Sequence, residues 1–357
     1  MKEAREALLA LVQLGIGHLS TYSFKHVEWK KVQTLANEHG LSAVVLDGIG
    51  ALPDSIRPSK IILLNWIGDV LQSYEQRYIS YEKAICSLAS FHNQNGFKMM
   101  LMKGYACALD WPKPEHRPCG DIDIWQFGKQ KEADRLLVRE RGIGVDTKHH
   151  IHTIFEWQGF TVENHYDFIN THAHKSSKEL EILFKKMGMD DTHSINVKGE
   201  IVYIPSPNMN ALFLLRHSMA HFAAQGINLR QLLDWAFFVE KHHTEIDWDW
   251  LERLLDYYGM KPLYHIFNAI CVEDLGFDVS IFQGGVQFDP NLKERVLNEI
   301  LSPEFSEDMP KNTIKRMVYK YRRWKGSAWK QELCFNETRW EAFWGGVWNH
   351  LLKPSTI

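Results

Sequence analysis

Cysteine is scarce and unpatterned in this chain. The five present, Cys86, Cys107, Cys119, Cys271 and Cys334, are odd in number, scattered and never spaced as CxxC. Neither a disulfide framework nor a structural zinc site is indicated, and a reducing cytoplasm is the compartment they suit. Long apolar runs are missing too. Stretches such as Ile61 to Trp66 and Ala211 to Leu215 fall far short of the roughly 20 residues that cross a bilayer. The opening run Met1 to Glu6 begins an amphipathic helix and carries no signal-peptide core, which argues against secretion. Charge of one sign is also lacking: 41 Lys and Arg against 44 Asp and Glu leave a net charge of −3. Bulk, sequence-independent binding of nucleic acid is therefore not expected, although a local basic patch stays open. Internal repeats, low-complexity tracts and long flexible linkers are absent as well. What remains is a folded chain of 357 residues, 45% hydrophobic and 24% charged, long enough for two or three cores.

Hydrophobic periodicity divides the chain into three regions. Residues 1–95 read as helical, with amphipathic segments over Glu3 to Leu14 and over Glu28 to His39, the latter ending at Gly40. Ile62, Trp66, Val70, Tyr74, Tyr78, Tyr81 and Ile85 then recur at helical spacing, which predicts one long packed helix or a pair over Ile61 to Asn95. Residues 96–206 change character: an apolar run over Lys98 to Met102, a turn at Lys103-Gly104, a short helix, a Pro-rich loop, and a strand over Asp121 to Trp125. A helix over Gln130 to Glu140 stops at Gly142. Hairpins are predicted around Gly159 and around Lys198-Gly199-Glu200, with a helix over Ser177 to Lys186 between them. Residues 207–357 return to successive helices. The tryptophans late in the chain (Trp324, Trp329, Trp340, Trp344, Trp348), mixed with Lys and Arg, fit helix packing with snorkelling basic side chains better than a membrane belt.

The chemistry concentrates at Asp121-Ile122-Asp123. Alternation along a strand points both carboxylates to one face, where two like charges are hard to keep ionised without a cation, and Mg²⁺ prefers such oxygen donors. Solvated acids at a strand end need no ion, and both readings stand on the pair alone. Gly104 follows a strand and opens a short helix, a place where backbone can approach phosphate closely and where amides favour anions.

Read together, Leu101-Met102-Lys103-Gly104, Trp111-Pro112 and Arg117-Pro118-Cys119-Gly120-Asp121-Ile122-Asp123-Ile124 resemble the bacterial family named uncharacterised nucleotidyltransferase, within the DNA polymerase β-like superfamily. An LKG-type turn there takes the place of the usual Gly-Ser turn. Leu35 to Leu41, Val162-Glu163-Asn164-His165-Tyr166 and His217 to Asp234 are similar to other parts of the family pattern. The resemblance implies an α+β nucleotidyltransferase core, a small mixed sheet with helices, flanked by N- and C-terminal helical regions.

It also implies an enzyme that moves a nucleoside monophosphate from an NTP to a hydroxyl acceptor with Mg²⁺ or Mn²⁺, and the mildly acidic charge favours a small molecule or a protein side chain as that acceptor. Asp121 and Asp123 would be metal ligands, and the superfamily pattern asks for a third carboxylate from a neighbouring strand. Glu163 fits, sharing a face with His165, and Asp167 has the same parity as a fallback. Lys103, Gly104 and Arg117 are candidate triphosphate contacts, Arg117 as a bidentate fork. His165, and His217 and His221 four apart on one helix face, are candidate nucleotide or acceptor contacts. Buried, hydrogen-bonded histidine is the plainer alternative for the helical pair, as a structural ion pair is for Arg230 and Asp234. His149, His150 and His152 precede the first hairpin, and His217-Ser-Met-Ala-His221 lacks the acid of a metalloprotease motif. A protein of this fold that binds nucleotide or a partner without turnover is the alternative function.

Overall fold

The computed structural model describes residues 2–24, 26–171, 174, 176–283, 288–304, 312–336 and 341. In chain order, helices α1 (Lys2–Gly15), α2 (Trp29–Glu38) and α3 (Ser42–Gly50) come first, followed by α4 (Lys60–Val70), a π-helical turn Leu71–Gln76, and α5 (Arg77–Gln94). The alternating core follows: β1 (Met100–Met102), α6 (Gly104–Ala108), β2 (Ile122–Trp125), α7 (Gln130–Arg141), β3 (His152–Trp157), β4 (Phe160–His165), α8 (Ser177–Asp190), β5 (Thr192–Val197) and β6 (Glu200–Pro205). Helices α9 (Pro207–Ala224), α10 (Leu229–His242), α11 (Trp248–Tyr257), α12 (Lys261–Glu273), α13 (Pro290–Leu301), α14 (Thr313–Gly326) and α15 (Ala328–Cys334) complete the described chain. Chain contacts separate two compact units, one of Met1–Ile67 with Leu214–Arg339, the other built on Gly68–Phe213.

The first unit is helical. In α1, Ala4, Ala7, Leu8, Leu11 and Val12 form a buried stripe at helical spacing. Helix α3, which the sequence pattern does not announce, packs on it at very short range. A Cβ on Gly48 would lie 2.1 Å from the Leu11 carbonyl oxygen, and one on Gly15 2.0 Å from that of Val44, so only glycine admits the contact. Trp329 packs edge-on to Phe222 at 5.8 Å, with the Arg295 guanidinium 3.9 Å from its ring centre, the basic-aromatic packing expected of the late tryptophans. Trp340, Trp344 and Trp348 lie outside the described residues. Among the described residues no helix is long and apolar enough to cross a membrane.

The second unit holds the six-stranded mixed sheet, in the order β3-β4-β2-β1-β6-β5. Both predicted hairpins form, β3/β4 and β5/β6. Their turns, Gln158-Gly159 and Lys198-Gly199, place both residues at positive φ, the type I′ habit that matches strand twist. β1 and β2 pair antiparallel, while β2 pairs parallel with β4 and β1 parallel with β6. One face of the sheet carries Leu101, Ile122, Ile124, Val162 and Val202. It forms a single apolar core with Tyr81, Ile85 and Leu88 of α5 and Leu136 and Leu137 of α7. Strand alternation then leaves Asp123, Glu163 and His165 on the opposite face.

Candidate active site

The sheet register assembles the site. Met102 stands opposite Asp123, Asp123 beside Glu163, Glu163 opposite Ile154, and His165 opposite His152. Residues on one face of neighbouring strands, directly opposite or two apart, come within side-chain reach of each other. Asp121, Asp123 and Glu163 accordingly bring one carboxylate oxygen each within 4.8 Å of the others. Asp121 precedes β2 and is exposed, Asp123 is buried, and Glu163 is intermediate.

Two cationic or protonatable groups converge on Asp123. Lys103 Nζ donates to its Oδ1 at 2.8 Å, and His165 Nε2 lies 3.0 Å from the same oxygen. Burial alone would push the Asp123 carboxyl up, but the Lys103 ammonium and the His165 hydrogen bond outweigh it and hold it below the usual range. The same partnership, against the pull of burial, raises Lys103 and His165. Asp121 is raised, by burial first and then by the charges of Asp123 and Glu163. Glu163 is lowered, because the hydrogen bond from His165 more than offsets burial. Three carboxylates against one ammonium leave the site rich in negative charge.

The loop before β2 is pinned from α5. Tyr81 Oη donates to the Asp121 carbonyl at 2.7 Å, and Arg77 Nε donates to the Cys119 carbonyl at 2.8 Å. Gly104 sits against this anchor: a Cβ there would fall 2.5 Å from Tyr81 Oη. The glycine therefore permits a close approach, while the left-handed backbone of the turn belongs to its neighbour. Lys103 has φ 46° and ψ −126°, a conformation ordinarily left to glycine. That strain persists where surroundings over-determine it, and the ion pair with Asp123 is one such restraint.

The family model described as uncharacterised nucleotidyltransferase matches residues 25–276. The chain belongs to that family. No curated protein matches it. Among solved structures, an antigenic nucleotidyltransferase-like protein from Paracoccidioides brasiliensis aligns at 12% identity over 45% of this chain and 75% of its own. The TM-score of 0.33 is too low to carry fold or function across.

In this member of the family, the expected acids come together as a set. Asp167, the fallback third acid, turns instead to an ion pair with Lys185. Arg117 is buried rather than offered to solvent, with Nη1 donating to the Pro118 carbonyl at 3.4 Å. His217 and His221 stack edge to face on α9 with ring centres 4.4 Å apart, and belong to the other compact unit. Among the described residues the groups able to hold a metal are Asp121/Asp123/Glu163 and His152/Glu163/His165, so the helical histidine pair gains no third ligand. A cavity of about 1050 Å³ along α7, bounded by Thr153, Tyr166, Asp167 and Lys185, includes none of the three acids.

Sequence reasoning missed three contributors. Tyr81 reads as a core aromatic, yet its hydroxyl fixes the Asp121 backbone. His152 reads only as a residue before a hairpin, though its parity opposite His165 was the available signal. The third is a buried network behind the acids. Asn164 Nδ2 donates to Asp134 Oδ1 at 2.8 Å and to Gln126 Oε1 at 3.2 Å, and Thr153 Oγ1 donates to Asp134 Oδ2 at 2.9 Å. It ties α7 to β3 and β4 on the face opposite Glu163, so the strand carrying Glu163 is held in register by polar contacts.

Proposed function

We propose that this chain transfers a nucleoside monophosphate from a nucleoside triphosphate to a hydroxyl group of a small molecule or a protein side chain. Asp121, Asp123 and Glu163 would hold Mg²⁺ or Mn²⁺. The observation that carries the reading is the convergence of these three carboxylates beside the Lys103-Gly104 turn in a chain of this family. The donor set fits a hard divalent ion: all ligands are oxygens, and Asp121 is destabilised by like charges that a cation would relieve. Lys103 and His165 both engage Oδ1 of Asp123, and Oδ2 would be the oxygen offered to an ion.

When bound, the ion neutralises charge on the triphosphate and on the transferring group. The chain's own residues then divide the remaining work. Lys103 and His165 orient Asp123 and keep it ionised. The Lys103 side chain is 19% exposed, and its ammonium has two further N–H donors to offer the triphosphate. Glu163 accepts the acceptor's hydroxyl proton as the hydroxyl oxygen bonds to the α-phosphorus. The bond to the bridging oxygen breaks and pyrophosphate leaves. Arg117, which is buried, and His217 and His221, which belong to the other compact unit, are assigned no step in this reading. The net charge of −3 supports a small or protein acceptor over a nucleic-acid polymer, and five cysteines outside any disulfide support a cytoplasmic setting.

The test offers α-labelled and γ-labelled triphosphates to the protein with Mg²⁺ or Mn²⁺ and fractionated lysate as acceptor. Label should move from the α position only, and Asp121→Asn/Asp123→Asn should reduce it by roughly 10² or more. Equal transfer by the two proteins would remove these acids from catalysis. Nucleotide binding with no transfer under any condition would favour a binding protein of the same fold.

A further inference from the structure

Glu163 has a second set of neighbours that the all-oxygen site does not use. His165 Nδ1 lies 3.1 Å from the Asp167 carbonyl, and since a carbonyl only accepts, Nδ1 carries the proton of that bond. Its other nitrogen, Nε2, lies 3.0 Å from Asp123 Oδ1 and 3.5 Å from Glu163 Oε2, donates there while the ring is an imidazolium, and presents its lone pair to a cation once that proton is released. Orientation of an imidazole by a backbone carbonyl is the arrangement that metal-ligating histidines use. His152 supplies a matching donor from the adjacent strand. Its Nδ1 is buried, makes no hydrogen bond, and lies 3.4 Å from the same Glu163 Oε2. Two nitrogens thus flank one carboxylate oxygen at 3.4 and 3.5 Å. Donors bound tetrahedrally to Zn²⁺ at its usual bond lengths stand about 3.3–3.5 Å apart.

We propose that His152, Glu163 and His165 form a second cation site that takes a first-row transition ion of the Zn²⁺ type, with a fourth position open. The mixed nitrogen-oxygen set selects against Mg²⁺, which prefers oxygen and water. Glu163 has two oxygens and can serve both ions, so the two sites adjoin. On binding, His165 Nε2 exchanges its contact with Asp123 for the ion, and Lys103 keeps Asp123 paired. The site does not depend on nucleotidyl transfer: that activity can fail with the ion bound, and the ion can be absent from an active transferase.

Co²⁺, whose visible absorption reports coordination, is the probe for the test. The full chain should develop the strong band of four- or five-coordinate cobalt, reversed by Zn²⁺ and unaffected by an equal concentration of Mg²⁺. Asp121→Asn should retain that affinity within about twofold, and His152→Gln should weaken it at least tenfold. No band, equal affinity in His152→Gln, or displacement by equimolar Mg²⁺ would overturn the site. X-ray absorption of the Zn²⁺-loaded native chain needs no variant: scattering from two imidazoles is expected, and an oxygen-only shell contradicts the proposal.

Discussion

Replacing Lys103 separates two forces that the structure superimposes on one residue. The ammonium lies 2.8 Å from Asp123 Oδ1, an attraction of about 6 kcal/mol at an effective dielectric constant of 20 before desolvation is counted. Asp123 is buried, so Lys103→Ala leaves a carboxylate supported by His165 alone, and a loss of roughly 3–5 kcal/mol in folding stability is expected. The backbone works in the other direction. At φ 46° and ψ −126° a side chain costs about 1–3 kcal/mol, which Lys103→Gly relieves. Glycine loses roughly 0.5–1 kcal/mol to chain entropy, so Lys103→Gly should be more stable than Lys103→Ala by about 1 kcal/mol. Urea unfolding followed by tryptophan fluorescence reads both differences. Mg²⁺ should raise the midpoint of either variant more than that of the native chain, since an ion replaces the missing positive charge. A Gly variant no more stable than the Ala variant would refute the strain, and variants within 1 kcal/mol of the native chain would refute the role of the ion pair.

Gly104→Ala sets a methyl against the Tyr81 hydroxyl and should cost about 1–3 kcal/mol by overpacking. Transfer should fall further than stability does, because the Asp121 anchor moves. Tyr81→Phe tests the anchor without the clash: about 1 kcal/mol of stability and a measurable fraction of transfer should be lost, and unchanged transfer would detach Tyr81 from the site. His92 is buried against Gln126, and burial lowers its imidazole to about 4. The unfolded chain takes up that proton near pH 6.5 and the folded chain does not. The stability His92 contributes is thus complete above pH 6.5 and is lost as pH falls to about 4, by roughly 3 kcal/mol. A His92→Gln variant should show a flatter stability profile over that window, and an identical acid limb would refute the assignment.

Local chemistry made much of this fold legible. Alternation marked β2 and β4, glycine turns marked both hairpins, and Gly142 at φ 64° ended α7 where expected. Strand period marked the Asp121/Asp123 pair as sharing a face, while Glu163 was nominated by the family resemblance, since Asp167 has the same parity. What the sequence hid depends on strand order. Lys103 reaches Asp123 because β1 lies antiparallel to β2, and His152 reaches Glu163 because β3 folds back on β4. Helix α3 escaped notice because its short apolar run holds glycines that ordinarily argue against a helix; one of them, Gly48, makes the close contact with α1. Lys103 offered no sequence sign of its positive φ, since that conformation is enforced by its surroundings.

The three-acid assignment is tested most directly by transfer of α-labelled nucleotide with Glu163→Gln and Asp167→Asn compared side by side. Glu163 converges with Asp121 and Asp123, whereas Asp167 is committed to Lys185. Transfer should fall by roughly 10² or more in Glu163→Gln and stay within a few-fold of the native rate in Asp167→Asn. Native transfer by Glu163→Gln, or a collapse confined to Asp167→Asn, would contradict the account.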